Sequence, residues 1–426
     1  MFKFNKGNIL KSFLFLFLST MLCSHNLIYF FISWVGLNIS LYSILLGAGT
    51  IHNEKNVGPS ETTLKYFVSG AMLTIFFLFS MVMFAVNYLT FDYNTLSYFY
   101  LINLDSFSNI NLNLSEKTFY VTIVSLLLFK LGAFPFHFYI KDIYLILCPK
   151  NNMFTYTITL KVLIFLILIN MISNFWFAAE IFYPVIAVSA IGSIISGAVG
   201  ALSQQKLKGF LAYSYVNSLG FTLLGVSSGI SYGFGAITFY SATVYFTSYI
   251  LAWFIILLVL KENTIKASDV KQIYNYSINS TIISEFNSIV RFETCGGMAN
   301  SIRLTSLVIS LGSLLGLPPT LGFYAKALIY LGLVGSSFGQ LLMLLALIFT
   351  PIMAYSYLRV LIKLIYPFIF KKHNSLNTRG LGGQLLLQIK TSGLNVKTYS
   401  NVTLILLTAL VLVFTPVVIL YTNIIF

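Results

Sequence analysis

Three lysines stand inside long apolar stretches, where a cation needs a reason. Lys130 lies in LFKLGAFPFHFY (128–139), shortly before Pro135. Lys326 closes LGLPPTLGFYAK (315–326), shortly after Pro318 and Pro319. Lys161 sits in the middle of TYTITLKVLIFLILIN (155–170). A lysine at the centre of a bilayer costs about 2.5–3.5 kcal/mol on insertion scales, so it normally faces a polar interior and has work to do there. The plainer reading is that each side chain snorkels to the surface. For Lys161 that reach is roughly 12 Å at 1.5 Å of rise per residue, so snorkelling is the weaker reading. Burial and mutual repulsion make the protonation of such lysines adjustable, which suits them to carry a proton. His137, just after Pro135, reads equally well as a bridging proton acceptor or as a hydrogen-bonded core histidine.

The elements that must hold these residues follow from composition. The chain has 426 residues, 58% hydrophobic and only 8% charged, whereas soluble domains carry about 25% charge. Repeated apolar stretches longer than the roughly 20 residues that cross a bilayer make it an all-α polytopic membrane protein. Eleven transmembrane helices are expected, near 9–23, 27–48, 60–90, 117–147, 153–173, 177–203, 206–228, 232–260, 303–334, 338–367 and 400–424. The first is read as a retained helix rather than a cleaved signal. Two polar insertions, about 261–302 and 368–399, read as loops outside the membrane.

Numbering the connections alternately puts every Lys and Arg of the 25 on one side, except Lys117, Lys130, Lys161 and Lys326. The net charge of +14 is therefore topology, with the basic side and the N-terminus facing cytoplasm or matrix, and it calls for no nucleic-acid partner. Helices 1–5 and 6–10 form two sets of five, each with a proline-broken fourth helix carrying a lysine. Five is odd, so the sets enter the membrane from opposite sides, the layout of an inverted repeat whose site lies at the midplane. The expected divisions are 1–175, 176–367 (holding the insertion 261–302) and 368–426.

None of the eleven Asp and Glu residues falls in a helix centre. The lysines must then be neutral part of the time, use water and hydroxyls, or borrow an acid from a neighbouring subunit. Cys23, Cys148 and Cys295 are far apart and suggest neither a metal site nor a disulfide framework. No Rossmann glycine fingerprint or cluster-binding cysteine spacing is present, so no cofactor is expected in this chain. Heavy use of Phe, Ile, Asn, Lys and Tyr fits an AT-rich, organellar coding sequence.

Several motifs resemble the antiporter-like subunits of respiratory complex I. FKLGAFPFHFYIKDIY (129–144) resembles their first broken helix, SQQKLKGFLAYSYVNSLGF (203–221) a loop-and-helix motif, and LGLPPTLGFYAK the second broken helix. SHNLIYFFISWVGLNISLYSIL (24–45) with ETTLKYFVSGA (61–71) is similar to the subunit 2 branch. The resemblance covers about 10–365 and implies a proton-translocating membrane-arm subunit of the mitochondrial inner membrane. Its implied partners are the other membrane-arm subunits, small and antiporter-like, together with lipids, and redox cofactors belong to other chains. By that pattern Lys130 is the central lysine of the first half-channel, Lys161 the connecting lysine and Lys326 the lysine of the second half-channel. The resemblance also implies a ten-helix core, with this chain starting at the family's fourth helix.

Two positions depart from the pattern. Asn38, in WVGLNIS, stands where the family has a glutamate paired with the first lysine, and an amide cannot carry a proton. Lys141 and Leu145–Cys148 replace the usual Trp-Val-Pro-Asp and Glu-Gly-Ala-Pro run. Two other readings remain: a subunit of a multisubunit sodium/proton antiporter, which shares these motifs, and a complex I scaffold subunit that has lost pumping.

Overall fold

The computed structural model describes residues 6–49, 59–88, 90–93, 95–96, 114–146, 155–204, 207–231, 236–267, 297–318 and 320–374. Twelve α-helices run through them: α1 Lys6–Leu22, α2 Leu27–Gly49, α3 Pro59–Tyr88, α4 Leu114–Leu131, α5 Phe138–Ile146, α6 Leu160–Asn174, α7 Ala179–Ser203, α8 Leu207–Ser231, α9 Ala236–Ala267, α10 Gly297–Leu315, α11 Leu321–Leu333 and α12 Ser337–Asn374. A π-helical turn, Thr155–Thr159, leads into α6. Among the described residues there is no strand, only an isolated bridge between Asn26 and Asp92. Six of the helices are long and apolar enough to cross a membrane by themselves. With its apolar surface and all-helical backbone this is a polytopic membrane protein, because a helix satisfies its backbone groups internally in lipid.

The expected fourth helix divides into α4 and α5, and the expected ninth into α10 and α11. Helix α9 runs on to Ala267 and α10 starts at Gly297, so helix reaches into both ends of the stretch expected to be a polar loop. Most of that stretch, most of 368–399, and the expected helix at 400–424 lie outside the described residues.

Helices α7 and α8 form the most intimate pair in the chain. Small residues on α7 (Ala190, Ser193, Gly197, Ala201) recur at helical spacing and are buried, and small side chains let two backbones approach. A Cβ on Gly197 would lie 2.6 Å from the main-chain nitrogen of Asn217. From this pair α8 reaches to α5, α9 and α11, while α7 reaches to α4 and α12. Helices α1, α2 and α3 pack in sequence, and α3 closes on α4 and α5. The other faces of α3 and α12 are lined by exposed apolar side chains such as Phe67, Ile75, Phe79, Leu344 and Ile348, which a lipid environment accommodates.

Candidate functional site

Both breaks are ended by a glycine. Gly132 and Gly316 have φ of +84° and +85°, the left-handed conformation that residues with a Cβ avoid. In each, the glycine and the following residue donate to a carbonyl a turn back: Gly132 and Ala133 to Leu128 at 2.8 and 3.0 Å, Gly316 and Leu317 to Gly312 at 3.0 and 3.0 Å. That is the Schellman ending. The sequence suggested that the prolines interrupt these helices and that the glycines add flexibility. In the structure a glycine in this conformation closes each helix, with Pro135 three residues after Gly132 and Pro318 two residues after Gly316.

A helix that ends inside a membrane leaves its last carbonyls without partners. In α4 each of them is satisfied. Leu128 accepts from Gly132 and Ala133, and Phe129 accepts from the Tyr139 hydroxyl. The main-chain oxygen of Lys130 accepts from Lys161 Nζ at 2.6 Å, and that of Leu131 accepts from the same Nζ at 2.8 Å. Leu131 also accepts from the Tyr215 hydroxyl at 2.6 Å. Leu131 lies four residues before Pro135, so its carbonyl is the one a helical N–H at 135 would have taken. At the second break, Lys326 Nζ donates to the main-chain oxygen of Leu315 at 2.9 Å, four residues before Pro319. A lysine on the carbonyl end of a helix also meets the negative end of its dipole.

Lys130 and Lys161 are each 1% exposed, and Lys326 is half-buried. Lys130 Nζ donates to the Tyr66 hydroxyl at 2.8 Å. The rings of Trp34, Tyr42, Tyr66 and Phe129 surround it, with centroids 4.7–5.8 Å away. An ammonium hydrogen bond contributes about 1.5–3 kcal/mol and a desolvated cation–π contact about 0.5–2 kcal/mol. Together these offset part of the insertion cost of about 2.5–3.5 kcal/mol for a central lysine. Lys161 lies 5.2 Å from the rings of Tyr156 and Tyr215. Lys326 lies 4.8 Å from Phe221 and 6.0 Å from Tyr245.

Asn38 is buried, and its side-chain oxygen has no hydrogen-bond partner. It sits one turn from both Trp34 and Tyr42 on the face of α2 that lines the Lys130 box. His137 stacks on Phe134 and its Nδ1 is unpartnered; its ring and hydrogen-bond contacts do not include a lysine. Pro135 is exposed beside an apolar cavity of about 520 Å³ shared with Leu128, Phe134 and Pro184. Pro318 is exposed, and Pro319 lies outside the described residues. The structure thus brings Lys130 and Lys161 together and sets Lys326 at an equivalent helix ending elsewhere. Sequence reasoning missed the aromatic box and the capping role of Lys161. The spacing Trp34, Asn38, Tyr42 on one helical face was the available signal.

Two further cations end helices in the same way. Arg359 of α12 donates to Leu202 at 3.2 Å and, at longer range, to Ala201 and Gln204, at the end of α7. Lys208 donates to Leu145, near the end of α5, at 3.4 Å.

In transporters, broken helices set substrate and ion sites near the midplane, and ionisable residues inside a membrane normally mark such sites. Residues 24–352 match the NADH:quinone oxidoreductase/Mrp antiporter transmembrane family, and the chain belongs to it. It is 30% identical over 329 residues to NADH-ubiquinone oxidoreductase chain 2 of Anopheles gambiae, covering 77% of each chain. It is 28% identical over 359 residues to NADH-quinone oxidoreductase subunit N of Pelagibacter ubique, covering 81% of this chain and 65% of that protein. The chain therefore spans about 65% of the length of that relative. The fold is similar to a chain of respiratory complex I from Thermus thermophilus, with a TM-score of 0.62 at 18% identity, covering 96% of this chain and 78% of that one.

Proposed function

We propose that the chain is a membrane-arm subunit of NADH:ubiquinone oxidoreductase and takes part in proton translocation. The observation that carries this is the set of three lysines at the two breaks, with Lys161 and Lys326 on helix-end carbonyls and Lys130 in an aromatic box. Lys130 is the proton-carrying group of the first half, Lys326 that of the second, and Lys161 the connection beside Lys130. Each gains and loses a proton as quinone reduction elsewhere in the complex changes the field along the membrane arm. His137 is a bridging proton acceptor beside the first break, and Asn38 is a neutral acceptor facing Lys130. The chain itself performs no redox step. The subunit assignment rests on the two relatives, both named as oxidoreductase subunits.

The same proposal covers the finer architecture. Helices α1–α6 and α7–α12 are two inverted repeats, with a division near residue 175 and the insertion 261–302 in the second; of the expected last division, 368–426, all but the end of α12 lies outside the described residues. Matched pairings support this: α1 with α2 and α7 with α8, α3 with α4 and α9 with α10, α2 with α5 and α8 with α11, α4 with α6 and α10 with α12. The membrane is the mitochondrial inner membrane, with the N-terminus in the matrix, and the partners are the other membrane-arm subunits and lipids. Separation of native membranes by gel, with NADH-oxidation staining and mass spectrometry, tests the assignment. The chain should migrate with an NADH-active assembly of about a megadalton. Recovery only in a smaller, NADH-inactive assembly would favour a multisubunit cation/proton antiporter, the other class that the family description names.

A further inference from the structure

Proton carriage by the three lysines leaves a gap, because Lys161 and Lys326 lie in different halves. Among the described residues no carboxylate or imidazole is found between them. The buried acid Glu116 is bound to Tyr88 at 2.7 Å, near the start of α4, and His137 stacks outside the break on Phe134. Buried phenols fill the interval instead. Tyr66 holds Lys130 and has Tyr156 beside it. Tyr156 and Tyr215 flank Lys161. The Tyr215 ring lies 5.6 Å from Tyr249 and 6.3 Å from Tyr144. Tyr249 is one turn from Tyr245 on α9, and Tyr245 flanks Lys326. The hydroxyls of Tyr144 and Tyr249 are buried and near one another, but neither has a partner within normal hydrogen-bond distance and angle. Packing alone would be served as well by phenylalanine. A buried hydroxyl without a formed bond carries a desolvation cost of about 1–3 kcal/mol, and such groups are the usual partners of internal water.

We infer that the row Tyr156, Tyr215, Tyr144, Tyr249, Tyr245 is the proton connection between Lys161 and Lys326, with Tyr249 as its central relay across α8 and α9. A phenol passes a proton without ionising. Its oxygen accepts a proton from a water or ammonium on one side while its own O–H proton leaves to a water on the other; Tyr215 does so by turning its hydroxyl away from the Leu131 carbonyl, which Lys161 still caps. One O–H bond forms as one breaks, and no electrons move. The second half-site is then recharged through hydroxyl groups rather than through a carboxylate.

The inference rests on the proton-translocation reading, and the experiment separates the two. In membranes holding the assembled complex, proton uptake per NADH oxidised and the coupled oxidation rate are measured for Tyr249→Phe, Tyr249→His and Lys161→Met. A relay predicts that Tyr249→Phe, which keeps the ring, loses coupled proton flux by about tenfold or more, since positioned proton-transfer groups contribute about 10²–10⁴-fold. It also predicts that Tyr249→His, which disturbs packing more but can pass a proton, recovers flux above the Phe variant. The opposite order, with Phe equal to the parent and His impaired, assigns Tyr249 to packing and overturns the inference. If Lys161→Met abolishes pumping while Tyr249→Phe does not, the phenol row falls and the lysine reading stands. If Lys161→Met also leaves pumping intact, both fall.

Discussion

Lys161 Nζ lies 2.6 Å from the main-chain oxygen of Lys130, so the second lysine of the first half closes the helix that carries the first. The two are linked through the backbone end of α4 rather than through an ion pair. Any change in the charge or position of Lys161 is felt at the break, one residue from the glycine that ends the helix.

Removing that cap has a cost in stability. Lys161→Met leaves the Lys130 carbonyl buried without a partner, a loss of about 1–3 kcal/mol. Tyr215→Phe leaves the Leu131 carbonyl still bonded to Lys161, so its loss should be nearer 1 kcal/mol. The double variant should lose more than the two losses added, because the two groups share the Leu131 oxygen and only together strip it. Thermal unfolding of the purified complex containing each variant measures this, and strict additivity would show that the shared carbonyl is not the link.

The glycine endings differ in what surrounds them. A methyl at position 316 would meet the stem of Lys326 at 3.2 Å, a flexible neighbour, whereas at position 132 it would collide with the Ile140 side chain. Both substitutions to alanine incur roughly 1–2 kcal/mol of backbone strain. Gly132→Ala should therefore lower the yield and thermal stability of the complex more than Gly316→Ala. Equal effects would mean that the clash at Ile140 relaxes without cost.

Asn38 offers an acceptor with no donor. An aspartate there would add the carboxylate that the Lys130 box lacks. Asn38→Asp should accumulate normally while Lys130 is present. In a Lys130→Met background the buried carboxylate loses its cation, and unpaired buried charges cost about 3–5 kcal/mol, so the double variant should fail to accumulate. Immunoblots of membranes suffice to compare them. Normal levels of the double variant would show that Asn38 does not face the lysine.

Much of the helical order was legible in the sequence. Apolar runs long enough to span a bilayer fix the helices, and a lysine beside Gly and Pro in such a run has few other uses. The two breaks were legible for the same reason. What was hidden depends on contacts between helices that the one-dimensional pattern does not encode. Tyr66 lies 64 residues from the lysine it holds, and Tyr215 lies 84 residues from the carbonyl it bonds. A tyrosine in an apolar helix reads as ordinary core or interface material. Lys161 read as an isolated charge because nothing in its own helix shows that a severed helix end lies opposite. His137 follows Lys130 closely in sequence, and its ring contact in the structure is with Phe134.

The most direct measurement is the number of protons moved per electron in sealed membranes in which Lys130 is replaced by methionine. Methionine fills the aromatic box without a protonatable group, so the complex should assemble and retain NADH oxidation by artificial acceptors. The account predicts that coupled quinone reduction is lost, or that its proton-to-electron ratio falls. An assembled Lys130→Met complex with the parent's rate and the parent's ratio would contradict it.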